Sequence, residues 1–365
     1  MSFLDTLLGK KKEASVLGVD IGSSSLKVVQ LRKEHGKAVL ETYGELALGP
    51  YAGAVAGAAT ALSAEEIAAS LADLLREAKV TTKSAGVSIP FARSLLVLVE
   101  LPYRDDPKEQ KTIIELEARK YIPVPVSEVQ LDWFVVPPPA EGPGAKPSGK
   151  PEKMEVFLIA VHNDELALLQ RSVAAAGLTS SFFEIEIFST IRAVVDEPVK
   201  PVMVLDIGAA TTKTYIVERG VVALSHSIAM GSHDITRAIA VSENIPLARA
   251  EALKKQEGLA AADGPAGAEH SPELVFSRIF AGARRVLMQF EQSRKEAVTK
   301  VVLTGGGGVT RELGTYAKNL FSIDVVVADP FKKCEAPVFM RPILEEIGPE
   351  FAVAVGLALR KLAEL

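Results

Sequence analysis

Two short stretches carry the residue types that grip phosphate. Asp20-Ile21-Gly22-Ser23-Ser24-Ser25-Leu26-Lys27 and Asp206-Ile207-Gly208-Ala209-Ala210-Thr211-Thr212-Lys213 align without a gap, each behind an apolar run. A glycine lets the backbone turn tightly and approach an anion. Successive backbone N–H groups in such a turn form an anion-binding nest, and Ser and Thr hydroxyls add donors. A carboxylate repels phosphate directly. Asp20 and Asp206 are useful if they hold a hydrated Mg²⁺, an ion that keeps several waters and takes few carboxylates. One Asp-Ile-Gly alone reads as a hairpin turn. Two copies in register, facing each other, would clamp one polyphosphate and its metal between two lobes. A third stretch, Val301-Val302-Leu303-Thr304, runs into Gly305-Gly306-Gly307-Gly308. There a base or ribose can lie against bare backbone.

These turns need strands to carry them. Residues 16–21 read as a buried strand, 26–32 as a second and 36–46 as a third. Residues 201–207, 211–217 and 220–228 repeat that pattern, and 300–304 leads into the glycines. The Ala/Gly-rich stretch from Gly49 to Ala61 reads as a permissive loop. It is no P-loop, because no Lys-Ser or Lys-Thr follows a spaced glycine pair. Ser63 and Glu66 have capping-box spacing and open a helix to about Lys79. Asp106-Pro107 opens another, with an Asp N-cap and Pro at the first helical position. Strands at 85–90, 94–101, 129–136 and 154–161 and a helix at 163–176 follow. The stretch 94–180 reads as an inserted module, with a Pro/Gly-rich mobile loop at 137–151. A strand at 182–186 and a helix lead to the second half. There, helices from Ser232 and Pro246 precede a second mobile segment at 260–272 and a long helix at 273–296. A helix from Thr310, a strand at 323–327 and a helix from Pro349 complete the pattern.

The composition is that of an ordinary globular protein. The chain has 365 residues, 48% hydrophobic and 24% charged, enough for two or three domain-sized units. Its net charge of −5 gives no global pointer to nucleic acid. The single cysteine, Cys334, excludes an internal disulfide framework and reads as a small buried apolar side chain. No stretch reaches the ~18–20 consecutive apolar residues of a membrane span. At the N-terminus, Phe3, Leu4, Leu7 and Leu8 share one helical face and precede Lys10, Lys11 and Lys12. That pattern fits a weak membrane or partner contact, but reads first as a frayed terminus with solvated charges. His226 and His233 lack the spacing of transition-metal ligands.

The most specific stretches are Leu17 to Leu31 with its serine triplet and Lys27, Glu115 to Pro123, the turn at Asp206, and Leu303 to Pro330. In these the chain resembles the actin and heat-shock-chaperone ATPase superfamily. Within it, the chain is similar to the type IV pilus assembly PilM family, a relative of the cell-division protein FtsA. The resemblance implies an α/β, two-lobed actin-like ATPase fold of duplicated ribonuclease-H-like domains with an inserted FtsA-type subdomain. Residues 16–93 and 181–198 would form the first lobe core, after an N-terminal extension at 1–15. Residues 94–180 would be the insert, 199–228 and 297–365 the second lobe core, and 229–296 its small subdomain.

The resemblance also implies ATP and Mg as cofactors. Asp20 and Asp206 would hold Mg through water. Gly22, Ser23, Ser24, Ser25 and Lys27 would contact phosphates from one side, and Gly208, Thr211 and Thr212 from the other. Glu251 and Lys254 would flank the ribose and adenine, and Gly305, Gly306 and Gly307 would line the adenosine. Glu184 would stand near the attacking water as the catalytic candidate. Plainer readings exist for several of these. Glu251 and Lys254, three apart on a helix, fit a surface ion pair. Glu184 and Glu186 fit two solvent-facing strand residues. Lys213 fits an outward-pointing side chain. No residue reads as a general base, so the expectation is at most slow hydrolysis by positioning and charge stabilisation.

The function implied is an ATP-binding scaffold for type IV pilus assembly and twitching motility, cytoplasmic and peripheral to the inner membrane. A groove between the first lobe and the insert would receive the cytoplasmic N-terminal tail of a PilN-type membrane protein. Other pilus components, including assembly ATPases, and a homo-oligomer are further expected partners; nucleic acid is not. The alternative is a filament-forming division protein like FtsA. That family usually ends in a linker and an amphipathic helix, whereas this sequence stops at Arg360-Lys361-Leu362-Ala363-Glu364-Leu365. A small-molecule kinase would need a substrate pocket and a catalytic acid, and a chaperone a substrate-binding domain.

Overall fold

A computed structural model describes residues 15–136, 152–196, 200–260 and 272–365. The expectations for the N-terminal apolar face and lysines and for the loop at 137–151 lie outside the described residues, as does most of the segment 260–272.

The two halves share one topology. In the first, β1 (Ser15–Ile21), β2 (Ser25–Glu34), β3 (Lys37–Ala47), β4 (Ser84–Ile89) and β8 (Thr179–Ile185) form a sheet of order β3-β2-β1-β4-β8. In the second, β9 (Val202–Ile207), β10 (Thr212–Glu218), β11 (Val221–Ile228), β12 (Lys300–Thr304) and β13 (Asp324–Val327) are ordered β11-β10-β9-β12-β13. Three antiparallel strands are followed by two parallel ones in each. The central strands β1 and β9 are near-continuous apolar runs because both their faces are covered.

Helices cover the sheets. Helix α1 (Ala64–Glu77) starts at Ser63, whose hydroxyl accepts from Glu66 N while the Glu66 carboxylate accepts from Ser63 N, closing the capping box read from the sequence. Helix α2 (Pro107–Ala118) starts at Asp106, which accepts from Lys108 N at 3.0 Å. It lays Ile114 and Ala118 against Val156, Leu158 and Ala160 of the antiparallel sheet β5-β7-β6, made by β5 (Ser94–Pro102), β6 (Val129–Val135) and β7 (Lys153–His162). Helices α3 (Asn163–Ala175) and α4 (Glu186–Val194) flank β8. In the second half, α5 (Ser232–Glu243), α6 (Leu247–Glu257) and α7 (Pro272–Arg294) gather around Phe276, Phe280 and Phe290.

The C-terminal part departs from expectation in three places. Residues 305–310 stay in turns, with Gly308 N donating to Gly305 O and Thr310 N to Gly307 O, so α8 starts later, at Leu313–Leu320. A helix not foreseen, α9 (Arg341–Ile347), follows. The last helix, α10 (Ala352–Ala363), was assigned to the second lobe by sequence. It packs instead on the first sheet, with Ala354, Val355 and Ala358 against Val16, Val29 and Leu31. Glycines admit it: a Cβ on Gly18 of β1 would stand 1.9 Å from Ala354 O, and one on Gly356 would stand 1.9 Å from Ser189 O of α4. Among the described residues no helix is long and apolar enough to cross a membrane.

Candidate functional site

The two aspartate turns are the same turn twice. Gly22 N donates to Ser25 O at 3.1 Å, and Gly208 N donates to Thr211 O at 3.0 Å. In the antiparallel pairs behind them, Asp20 lies opposite Lys27 and Asp206 opposite Lys213. Directly paired residues project to the same face. Each turn therefore presents a carboxylate and an ammonium together, and both turns open onto one cavity of about 810 Å³.

The first turn is fixed from below. Ser88 Oγ donates to Asp20 Oδ1 at 2.9 Å and accepts from Ile21 N at 2.9 Å. Burial pushes the Asp20 carboxyl up to about 6, reinforced by Glu186 and opposed by Lys27 and Lys213. Lys27 Nζ reaches Ser25 Oγ at 2.6 Å and Glu45 Oε1 at 3.0 Å. Burial works against its charge, but Glu45, Glu350 and Asp20 hold its pKa above the ordinary lysine value. Glu350 is pushed up to about 7 by burial and by Glu45.

The second turn is capped by a helix start. Ser232 N and His233 N, at the head of α5, donate to Gly208 O and Ala209 O, each at 2.9 Å. Lys213 does not point outward. Its ammonium sits 2.7 Å from Glu186 Oε2 and 3.2 Å from Asp206 Oδ2, and these anions with Asp20 raise its pKa against the opposing effect of burial. The glycine run closes the cavity's far wall. Gly305 has φ +83°, and a Cβ there would stand 2.4 Å from Asp206 Oδ1. Gly305 N donates to Pro349 O and Gly307 N to Ile207 O.

Glu251 and Lys254 form a buried pair, unlike the surface pair their spacing alone suggested. Lys254 Nζ is 2.7 Å from Glu251 Oε2 and 2.9 Å from Thr236 Oγ1, which itself donates to Glu251 at 2.6 Å. Burial lowers the Lys254 pKa, against the pull of Glu251. Across the cavity mouth the loop after β3 meets this pair: Gly57, at φ +85°, comes so close that a Cβ would stand 2.7 Å from Glu251 Cδ. That loop is tied to the first turn, with Leu48 N donating to Ser24 O and Thr60 N to Ser23 O.

Most of the residues expected at the site line this cavity: Asp20, Gly22, Ser23, Ser24, Ser25 and Lys27 from the first turn, and Asp206, Gly208 and Thr211 from the second. Glu251, Lys254, Gly305 and Gly306 line it as well. Three do not. Thr212 turns its hydroxyl away to Met230 O at 2.8 Å. Gly307 sits behind the wall, where a Cβ would stand 2.3 Å from Ile207 Cγ2. Glu184 is the third. Its carboxylate is clasped by Arg192 at 2.7 and 2.9 Å, by Arg360 at 2.8 Å and by the Ser189 hydroxyl. Burial opposes its charge, yet Arg192, Ser189 and Arg360 hold it below the usual carboxylate range. β8 ends at Ile185, so the alternation of faces is broken and Glu186, the first residue of α4, faces the cavity instead. Glu45, Ser88, Lys213 and Glu350 went unselected. Lys213 could have been found from the register, since it repeats Lys27, and Glu45 lies directly opposite Lys27 in the next strand; Ser88 and Glu350 come from distant segments and carry no local signal.

The donor set suits a magnesium ion shared with phosphate. Asp20 and Asp206 offer hard oxygens, and Mg²⁺ accepts one or two carboxylates while keeping waters. No group of three or more metal-ligating side chains occurs among the described residues, so ligands beyond the protein would complete its shell.

The cavity also extends sideways. Its lining there includes Leu62, Ile67 of α1, Leu168 and Glu165 of α3, and Arg93, whose side chain lies 3.8 Å from that of Glu165.

A sequence model of the family described as type IV pilus assembly protein PilM matches residues 18–362. The cell division protein FtsA of Neisseria meningitidis serogroup B is 24% identical over 316 residues, 78% of this chain and 75% of that protein. Among solved structures, a PilM-PilN type IV pilus biogenesis complex superposes with a TM-score of 0.78 at 25% identity, covering 96% of this chain and 99% of that chain. The ethanolamine utilization protein EutJ from Carboxydothermus hydrogenoformans gives 0.56 at 14% identity, covering 96% and 91%. MreB5 of Spiroplasma citri, solved bound to ADP, gives 0.50 at 13% identity, covering 96% and 97%. The last two support the two-lobed actin-like fold alone.

Proposed function

This chain belongs to the type IV pilus assembly protein PilM family, and on that premise we propose that it is an ATP-binding scaffold of pilus assembly, peripheral to the cytoplasmic face of the inner membrane. The observation that supports nucleotide binding is the repeated turn: two identical glycine-closed loops, each with an aspartate and a lysine, open onto one cavity walled by Gly305 and Gly306. In this reading Asp20 and Asp206 hold Mg²⁺ through water. Lys27, Lys213 and the turn N–H groups face the phosphates, and Glu251 and Lys254 stand where a ribose and base would lie. The part of the cavity lined by residues of α1 and α3, at the seam of the first lobe with the insert at 94–180, is the groove for the cytoplasmic tail of a PilN-type protein. It is apolar along Leu62, Ile67 and Leu168, with Arg93 and Glu165 at its mouth. A disordered tail would gain its order on binding there. A filament-forming role like that of FtsA is the second reading, supported by the Neisseria relative.

The test is direct. A labelled peptide of the PilN-type tail is titrated into the full chain, and Mg-ATP is titrated separately by calorimetry. Saturable one-to-one binding in both titrations is expected. Failure of Mg-ATP to bind removes the nucleotide reading, and failure of the peptide removes the scaffold reading.

A further inference from the structure

The phosphate site and the groove are joined by a chain of short polar contacts that neither site requires alone. Lys213 Nζ touches Asp206 Oδ2 at 3.2 Å and Glu186 Oε2 at 2.7 Å. The other oxygen of the same carboxylate, Glu186 Oε1, accepts from Phe91 N at 2.6 Å. Phe91 begins the 3₁₀ turn Phe91–Arg93, which carries Arg93 to the groove mouth opposite Glu165. Every side chain in the line from Asp206 to Glu186 is at least 87% buried, so water screens these contacts little.

We propose that Glu186 is a positioning residue that transmits phosphate occupancy from Asp206 and Lys213 to the Phe91–Arg93 turn and so regulates the groove. The inference rests on the nucleotide reading above. Without a polyphosphate, Lys213 divides its ammonium between two carboxylates. Phosphate oxygens at the turn compete for that ammonium. Glu186 then loses part of its counter-charge and leans harder on its remaining donor, the Phe91 N–H, since a hydrogen bond to an ionised acceptor is the stronger kind. The turn tightens, and Arg93 is held in one place beside Glu165. Both ends have a stake in one carboxylate, which is the minimum a coupling needs. Coupling is reciprocal for binding free energies, so a tail in the groove changes Mg-ATP affinity by the same factor.

Hydrogen–deuterium exchange of a peptide spanning residues 86–98 reads the turn without any groove ligand. Each protein is saturated with Mg-ATP, with saturation checked by calorimetry. In the wild type, exchange at Phe91 is expected to slow by at least about fivefold on adding Mg-ATP, the low end of ordinary coupling. Glu186→Ala removes both contacts, and Glu186→Gln keeps an acceptor for Phe91 N but discards the charge that Lys213 needs. In both variants the Mg-ATP-dependent slowing is expected to vanish while ATP still saturates the protein. A wild type that binds Mg-ATP with unchanged or faster exchange at Phe91 overturns the coupling and leaves the nucleotide reading intact. Slowing that persists in Glu186→Gln overturns it equally. A wild type that binds no Mg-ATP overturns both.

Discussion

At the scale of single residues, the site holds a buried carboxyl at a cost to stability. Asp20 is buried and its carboxyl is pushed up to about 6, from an ordinary 3.8. The folded chain therefore holds this proton more tightly than the unfolded chain does. The sign follows: this group's contribution to stability is fullest below about pH 4 and is lost as pH rises through about 6. On the proposed reading Mg²⁺ needs the ionised carboxylate, so Mg-ATP affinity is expected to run the other way and to weaken as pH falls through about 6. Asp20→Asn is expected to raise the apo melting temperature at pH 7.5 by a few degrees while abolishing the gain from Mg-ATP, the usual trade between stability and function. Melting curves from pH 5 to 8, with and without Mg-ATP, check both halves. A variant no more stable than the wild type would mean that Lys27 and Lys213 compensate the buried charge fully.

At the scale of elements, Glu184 and Glu186 show how two neighbours acquire opposite duties. One is the last residue but one of β8 and is locked by Arg192, Arg360 and Ser189; the other, two residues on, begins a helix and faces the cavity. Arg360 also lies over the Phe182 ring at 4.3 Å, tying α10 to β8. Glu184→Ala is expected to cost about 3 kcal/mol by urea unfolding, at the low end for a broken buried pair because the arginines are about one third exposed. Mg-ATP affinity should stay within about twofold, a change worth less than half a kcal/mol. Unchanged stability would return Glu184 to the list of site candidates. Much of this level was legible in the sequence. Apolar runs ending in Asp-Ile-Gly gave the strands and turns, and Ser63 and Asp106 gave helix starts to the residue. What was not legible depends on packing. The glycines at 305–308 look like a helix lead-in, but they are held in turns by Pro349 and Ile207 from elsewhere in the chain. Thr212 looks like a phosphate donor, but strand alternation aims it at Met230. The face of Lys213 was readable from its pairing with Asp206, once the repeat was taken as a repeat of geometry.

At the scale of the whole molecule, the chain leaves the first sheet through α4, builds the second, and returns in α10 to pack on the first sheet and on α4. The glycine contacts at Gly18 and Gly356 let α10 lie against backbone on both sides. Gly18→Ala forces a Cβ onto the Ala354 carbonyl, a backbone atom that cannot move without shifting the helix. A loss of at least about 3 kcal/mol is expected, the upper end for overpacking, together with weaker Mg-ATP binding as the lobes lose their common seat. Urea unfolding and calorimetry on the variant check this, and a loss under about 1 kcal/mol would show that α10 shifts freely.

The same seat has a consequence in time. A chain leaves the ribosome from its N-terminus, so β1 is among the first elements to emerge. Its cover, α10, comes at the far end of the sequence. Until then Val16, Val29 and Leu31 have an apolar face that lacks its α10 cover, and half-made chains with exposed apolar surface are the ones that aggregate or engage chaperones. The contact of Gly18 with Ala354 can thus form only after the strands of both sheets have been made. Nascent chains halted before residue 352 should remain protease-sensitive in the first sheet, however complete the site turns at Asp20 and Asp206 already are.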